Sequence, residues 1–257
     1  MLILLSPAKS LNTSPVADWV KPTSPRFSAH TKDLLAVMKT KSPDDLRGLM
    51  DISDDLAELN YRRYQRFTRQ EVLPAAMIFD GDVYDGLKAR ELNQTDLIWM
   101  QDHVRILSGL YGVLRPLDQM RPYRLEMGTS LPTDKGKSLY AYWGDDIANA
   151  LLKDARAVKA DTILNLASQE YAKAALTKAM KLTVINTRFL DEKDGKARIV
   201  SFFAKRARGL MARYVIDNRI EDIEQVKAFD TDGYRFQADQ STPAEWVFSR
   251  HQPPLKS

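Results

Sequence analysis

The chain has 257 residues, a length that accommodates one large domain or two small ones. Hydrophobic residues make up 44% of it and aromatics 9%, which excludes a disordered chain, and the absence of cysteine excludes disulfides, iron–sulfur clusters, thiolate metal sites and a cysteine nucleophile. The formal charge is +4, which carries information only where the cations cluster.

The opening run Leu2–Leu5 reads as a short buried strand that leaves the core at Ser6-Pro7. It is far shorter than the ~20 residues of a membrane span and lacks the basic start of a secretory signal. A soluble, cytoplasmic protein with no membrane contact is expected. Helices are predicted over 30–41 and 53–67, the second with Ser53 as N-cap and Leu56, Leu59, Tyr64 and Phe67 inward. Residues 75–80 read as a strand entering a Gly81-Asp82 turn. A helix is predicted over 95–107, capped by Thr95, with Leu97, Ile98, Val104 and Leu107 inward. Another covers 138–154, and a strand at 162–166 precedes a helix at 168–179. Strands at 181–190 and 197–203 flank the turn Asp191–Gly195, and a long helix follows from about 204 to 219. Segments 233–236 and 245–249 alternate like strands. No repeat is present, and the proline- or glycine-bearing stretches 10–28 and 125–137 do not separate different compositions. One compact domain over 1–257 is expected, of mixed α/β (α+β) class, with a mixed sheet and flanking helices.

Three constellations could carry chemistry. Residues 193–219 hold eight cations against Asp194 and Asp217, a net +6. On the helix, Lys205, Arg206, Arg208 and Arg213 fall away from the apolar face of Ala207, Met211, Tyr214 and Val215. Such a stripe is either a plain solvated face or a salt-sensitive phosphate contact. Around Gln101–Arg124, two predicted helices joined by Ser108-Gly109-Leu110-Tyr111-Gly112, the second opening at Arg115-Pro116, resemble a helix-hairpin-helix element over about 95–122. Its glycines could admit a phosphate backbone, or Gly109 could simply cap a helix. The DNA-contact candidates are thus Ser108, Gly109, Leu110, Tyr111, Gly112, Arg115, Lys205, Arg206, Arg208 and Arg213.

The third constellation lies at predicted strand ends, where ligands sit in open α/β sheets. Lys9, Asp82, Asn165, Ser168, Glu170 and Tyr171 could form a pocket for a small anionic or nucleotide-like substrate, with Lys9 holding the anion and Glu170 or Asp82 moving protons. Taken singly, Ser168 and Asp82 also suit a helix cap and a turn. The three histidines, His30, His103 and His251, lack ligand spacing, so no metal site and no cofactor are expected. No P-loop, dinucleotide fingerprint or nucleophile elbow is present.

Six ordered blocks carry a family resemblance. They are LILLSPAKSL at the start, FDGDVYDGL at 79–87, LSGLYGVLRPLDQMRPYRLEMG at 107–128, NLASQEY at 165–171, FLDEKDGK at 189–196 and SFFAKRARGLMARYVIDNR at 201–219. Together they resemble the YaaA family of peroxide stress resistance proteins. The resemblance implies a cytoplasmic protein that limits iron-linked DNA and protein damage under hydrogen peroxide. It also implies a compact α/β fold with a helix-hairpin-helix-like element and a positively charged cleft that binds DNA. The expected partner is then DNA, double-stranded, distorted or single-stranded, held without sequence preference by a monomer. Competing expectations are an enzyme using the strand-end pocket, and direct iron sequestration.

Overall fold

The computed structural model describes residues 1–17 and 19–253. Residue 18, in the proline-bearing stretch 10–28, and residues 254–257, in the C-terminal tail, lie outside them. The strands are β1 (Leu2–Leu5), β2 (Ser10–Leu11), β3 (Leu73–Pro74), β4 (Phe79–Asp80), β5 (Val104–Ser108), β6 (Gly112–Leu114), β7 (Gln119–Met120), β8 (Thr162–Asn165), β9 (Thr183–Lys193), β10 (Lys196–Arg198), β11 (Arg235–Phe236) and β12 (Glu245–His251). The α-helices are α1 (Ser28–Lys39), α2 (Pro43–Met50), α3 (Asp54–Gln65), α4 (Ala75–Ile78), α5 (Asp82–Leu87), α6 (Gln94–His103), α7 (Leu139–Trp143), α8 (Asp146–Ala157), α9 (Gln169–Ala175) and α10 (Ser201–Asp217).

Eight strands form one sheet in the order β11-β12-β9-β8-β1-β5-β6, with β10 paired to β9. Strands β5, β1, β8, β9 and β12 run parallel, and β6, β10 and β11 are antiparallel to their neighbours. The fold is mixed α/β, as the interspersed pattern implies. Every residue of β1 is buried, the signature of a central parallel strand covered on both faces. The chain leaves β1 toward β5 on one side, whereas β8 leads to β9 on the other. The gap between the carboxyl ends of β1 and β8 is therefore a topological switch point, where open α/β sheets leave room for a ligand.

Helix α6 ends at His103, four residues earlier than the pattern predicts, and its N-cap is Asn93 in a capping box with Asp96. Residues Val104–Ser108 are all buried and form β5, parallel to β1 and antiparallel to β6. No α-helix opens at Arg115. The element at 95–122 is thus a helix followed by a β-hairpin, not a helix-hairpin-helix. The five-residue run VRILS suits a core strand as well as a helix turn, and pairing to β1 decides it.

The tight corner is sealed. Gly112 adopts φ 70°, and a Cβ there would lie 2.7 Å from the Trp143 ring. A Cβ on Gly109 would lie 2.3 Å from the Leu125 carbonyl oxygen. These glycines admit the protein's own chain and an indole. Trp143 Nε1 donates to the Gly109 carbonyl at 3.0 Å, which locks the corner from the other side.

Smaller departures have local causes. Ser53 caps α3, but Leu56 and Leu59 are 38% and 42% exposed, because the inward stripe runs through Ala57, Asn60 and Tyr64. Ile98 also points out, at 58% exposure. Residues 75–80 form one helical turn and then β4, which pairs with β2. The 138–154 helix is broken at Gly144, whose φ of 47° ends α7 before α8 begins. The β9–β10 hairpin turns at Asp194-Gly195, both at positive φ, and α10 starts at Ser201 rather than near 204. Among the described residues no helix is long and apolar enough to cross a membrane.

Candidate functional site

A cavity of about 460 Å³ opens at the β1/β8 switch point. Its floor comes from the segments that leave the two strands. Ser168 N donates to Ser6 Oγ at 2.8 Å, and the two hydroxyls lie 3.3 Å apart. Tyr84 OH holds the same turn by donating to the Ser6 carbonyl at 3.0 Å.

One wall is built by a helix crossing without side chains between the backbones. A Cβ on Gly209 of α10 would lie 1.8 Å from the Val83 carbonyl oxygen of α5. That approach brings Lys205 and Arg208 of α10 and Asp82 of α5 onto the cavity. Lys205 Nζ stands 3.9 Å from Asp82 Oδ2. Lys205 and Arg208 share a face because they are three residues apart on the helix.

The opposite wall is the irregular segment after β7. Glu126 takes Lys9 Nζ at 3.2 Å on one carboxylate oxygen and an Arg124 guanidinium nitrogen at 3.0 Å on the other. Tyr64 OH fixes this wall by donating to the Arg124 carbonyl. Glu170 accepts from Gly128 N at 2.8 Å with Oε1. Its Oε2 makes no hydrogen bond among the described residues. Burial pushes the Tyr123 and Tyr171 phenols well above their ordinary range, so both stay protonated. Tyr123 OH shares a 2.6 Å hydrogen bond with Ser108 Oγ.

Arg208 differs from every other cation of this lining. Its Nε is buried and unsatisfied, and it makes no hydrogen bond or ion pair among the described residues. Burial pushes its pKa down from the ordinary arginine value, yet a guanidinium stays charged at neutral pH. A half-buried cation with no acidic partner, facing a cavity, favours an anion there.

The sequence candidates divide sharply. Lys9, Asp82, Ser168, Glu170 and Tyr171 line this cavity together with Lys205 and Arg208. Asn165 does not; it lines the neighbouring one. Ser108, Leu110 and Tyr111 are at most 4% exposed, and Gly109 and Gly112 are buried with them, so they present no surface to a partner. Arg115 is held by Asp118 at 2.9 Å, Arg206 by Asp232 at 2.6 Å and Arg213 by Asp217 at 2.7 Å. Tyr123, Arg124 and Glu126 also line the cavity; they lie in the 107–128 resemblance block, but 121–128 has neither helical nor strand periodicity to place them there. No group of three or more metal-ligating side chains occurs among the described residues.

The model of a family described as peroxide stress protein YaaA matches residues 1–240. The chain belongs to that family. Membership ties it to the response to peroxide stress. Among its relatives, a UPF0246 protein of Phenylobacterium zucineum is 52% identical over 99% of this chain and 96% of its own length. A UPF0246 protein of Caulobacter vibrioides is 52% identical over 98% of this chain and its own full length. One from Azoarcus sp. is 48% identical over the same shares.

Proposed function

We propose that the switch-point cavity binds a phosphate-bearing anion the size of a nucleotide, and that this binding serves the protein's role under peroxide stress. The observation that carries the reading is the unpartnered Arg208 guanidinium on the cavity wall. A volume of about 460 Å³ lies in the range of pockets that enclose small ligands. Lys9, Arg124, Lys205 and Arg208 face Asp80, Asp82, Glu126 and Glu170, so the lining is nearly neutral overall. That mixture suits a small ligand with one anionic group better than the continuous backbone of a polyanion. Glu170, with one carboxylate oxygen uncommitted, would hold or move a proton on the bound ligand.

Titration calorimetry of the intact chain with nucleoside 5′-monophosphates, and with the matching nucleosides, tests this. The monophosphates should bind, the nucleosides should bind at least tenfold more weakly, and Arg208→Met should erase the difference. Equal binding of both ligand types, or unchanged binding by Arg208→Met, overturns the reading. In a strain lacking the native copy, Arg208→Met should also fail to restore survival of peroxide.

A second reading, sequence-independent DNA binding, is favoured by a different observation. Lys193, Lys196 and Arg198 on the β9–β10 hairpin are exposed and have no acidic partner among the described residues. Each phosphate they neutralise would add about 0.9 to the slope of log affinity against log salt. Reversing all three to Glu should lower that slope by roughly 2–3 in an anisotropy titration with duplex DNA. An unchanged slope removes the hairpin as the contact.

A further inference from the structure

A second cavity, of about 730 Å³, lies beside the first, and Arg208 is the one described residue that lines both. The wall between them is a short piece of chain read alternately from its two sides. Asn165, Ala167 and Gln169 face the second cavity, and Ser168 and Glu170 face the first. On α10, Ala204 faces the second and Lys205 the first.

The second cavity follows from a step in the sheet. Strand β8 ends at Asn165, opposite Asn186 of β9, and β12 begins at Glu245, also opposite Asn186. Past that row β9 continues without β8. The lining there is polar and mostly uncharged. Asn165 Nδ2 donates to Asn186 Oδ1 at 2.8 Å, and Asn186 Nδ2 donates to the Ala244 carbonyl at 3.3 Å. Each amide nitrogen keeps one further hydrogen, and Asn186 Oδ1 keeps a lone pair. Glu245 is paired with Arg188 at 3.2 Å on the rim. Such a surface offers alternating donors and acceptors to hydroxyls or to the edge of a base.

We propose that the two cavities together take a phosphodiester-linked ligand, its phosphate on the Arg208 guanidinium and one nucleoside-like half on either side. This rests on the reading that the first cavity binds a nucleotide, and extends it across Arg208. A monoester ends at its phosphate and fills one compartment. A diester continues past it, and a single forked cation between two compartments of ligand size matches that connectivity. The shared chemistry is a phosphodiester flanked by polar rings, which a free dinucleotide or a stretch of unpaired nucleic acid can supply.

Calorimetry of the full chain compares four homodinucleoside monophosphates (ApA, CpC, GpG and UpU) with the four nucleoside 5′-monophosphates and a single-stranded 12-mer. The best dinucleoside monophosphate should bind at least tenfold more tightly than the best monophosphate. Asn186→Ala should bring it down to the monophosphate level while leaving monophosphate affinity within twofold. Gln169→Ala, at the exposed first residue of α9, gives the same readout should Asn186→Ala fail to fold. A 12-mer that binds at least as tightly, with the same dependence on Asn186, identifies unpaired nucleic acid as the source; weaker binding identifies the free dinucleotide. Dinucleotides that bind no better than monophosphates overturn the second compartment and leave the first reading standing. Failure of every ligand overturns both.

Discussion

Replacing Arg208 by Met should make the protein more stable. Arg208 is half-buried on α10, its buried Nε has no partner, and no carboxylate within the described residues neutralises it. A buried polar group left unsatisfied, as Nε is, costs about 1–3 kcal/mol. Methionine retains most of the aliphatic stem that packs on the helix, so little burial is lost. The expected gain is therefore about 1–3 kcal/mol. For a chain of 257 residues the unfolding entropy is roughly 0.5 kcal/mol/K, so Tm should rise by about 2–6 °C. Scanning calorimetry and urea unfolding of the parent and the variant in phosphate-free buffer measure it. A variant that melts several degrees below the parent would show that Arg208 has a structural partner, and the argument for an anion there would fail. A residue that costs stability when empty and is needed for binding is the pattern of a functional site.

Other substitutions probe the frame that holds the cleft. Gly209→Ala places a methyl group 1.8 Å from the Val83 carbonyl oxygen, so α5 and α10 must separate; overpacking of this kind should cost about 3 kcal/mol or more and lower Tm by several degrees in the same scan. Gly48→Ala, in exposed α2 with nothing within 4 Å, should instead raise stability by about 0.5–1 kcal/mol; matching effects for the two glycines would remove the close-approach argument. Arg250→Met should cost about 3–5 kcal/mol by urea unfolding, since it removes the cation that Asp191 meets at 2.7 Å and leaves that fully buried carboxylate with the neutral Tyr234 hydroxyl at 3.2 Å; a loss under 1 kcal/mol would show that Asp191 is otherwise compensated. Burial holds the His103 imidazole below its ordinary pKa, where it stacks on Trp99 at 4.1 Å. The unfolded chain then binds a proton that the folded one refuses, so stability should fall as pH drops from about 6.5 toward the folded-state value. His103→Gln should flatten that part of a stability–pH curve, and a parallel curve would exclude His103 as its source.

The readable parts of this sequence were those whose signals are local. Leu2–Leu5 is a run of four apolar residues closed by Ser-Pro, and its burial on both faces needs no partner to be foreseen. Ser53 and the Asp194-Gly195 turn likewise act within a few residues. The strand Val104–Ser108 was hidden because it follows α6 without a break, and only its pairing with β1 makes it extended. The same holds for the glycine corner. Gly109 and Gly112 signal a close approach, but not what approaches, and the answer is Leu125 and Trp143. Strand-end reasoning brought five side chains to one cavity, because chain reversals after parallel strands gather on one edge of the sheet. A helical wheel set Arg208 outside the apolar stripe of α10. It carried no information about the 165–171 segment that closes over that face and turns a surface cation into a cavity wall.

The central claim is that Arg208 seats a phosphate between the ends of β1 and β8. Crystals of the intact protein grown with a saturating nucleoside 5′-monophosphate test it most directly. Difference density should place the phosphate within about 3 Å of the Arg208 guanidinium, with the nucleoside in the cavity lined by Lys9, Ser168 and Glu170. A phosphate found on the outer face of α10, or on the β9–β10 hairpin with Arg208 still unpaired, would contradict it.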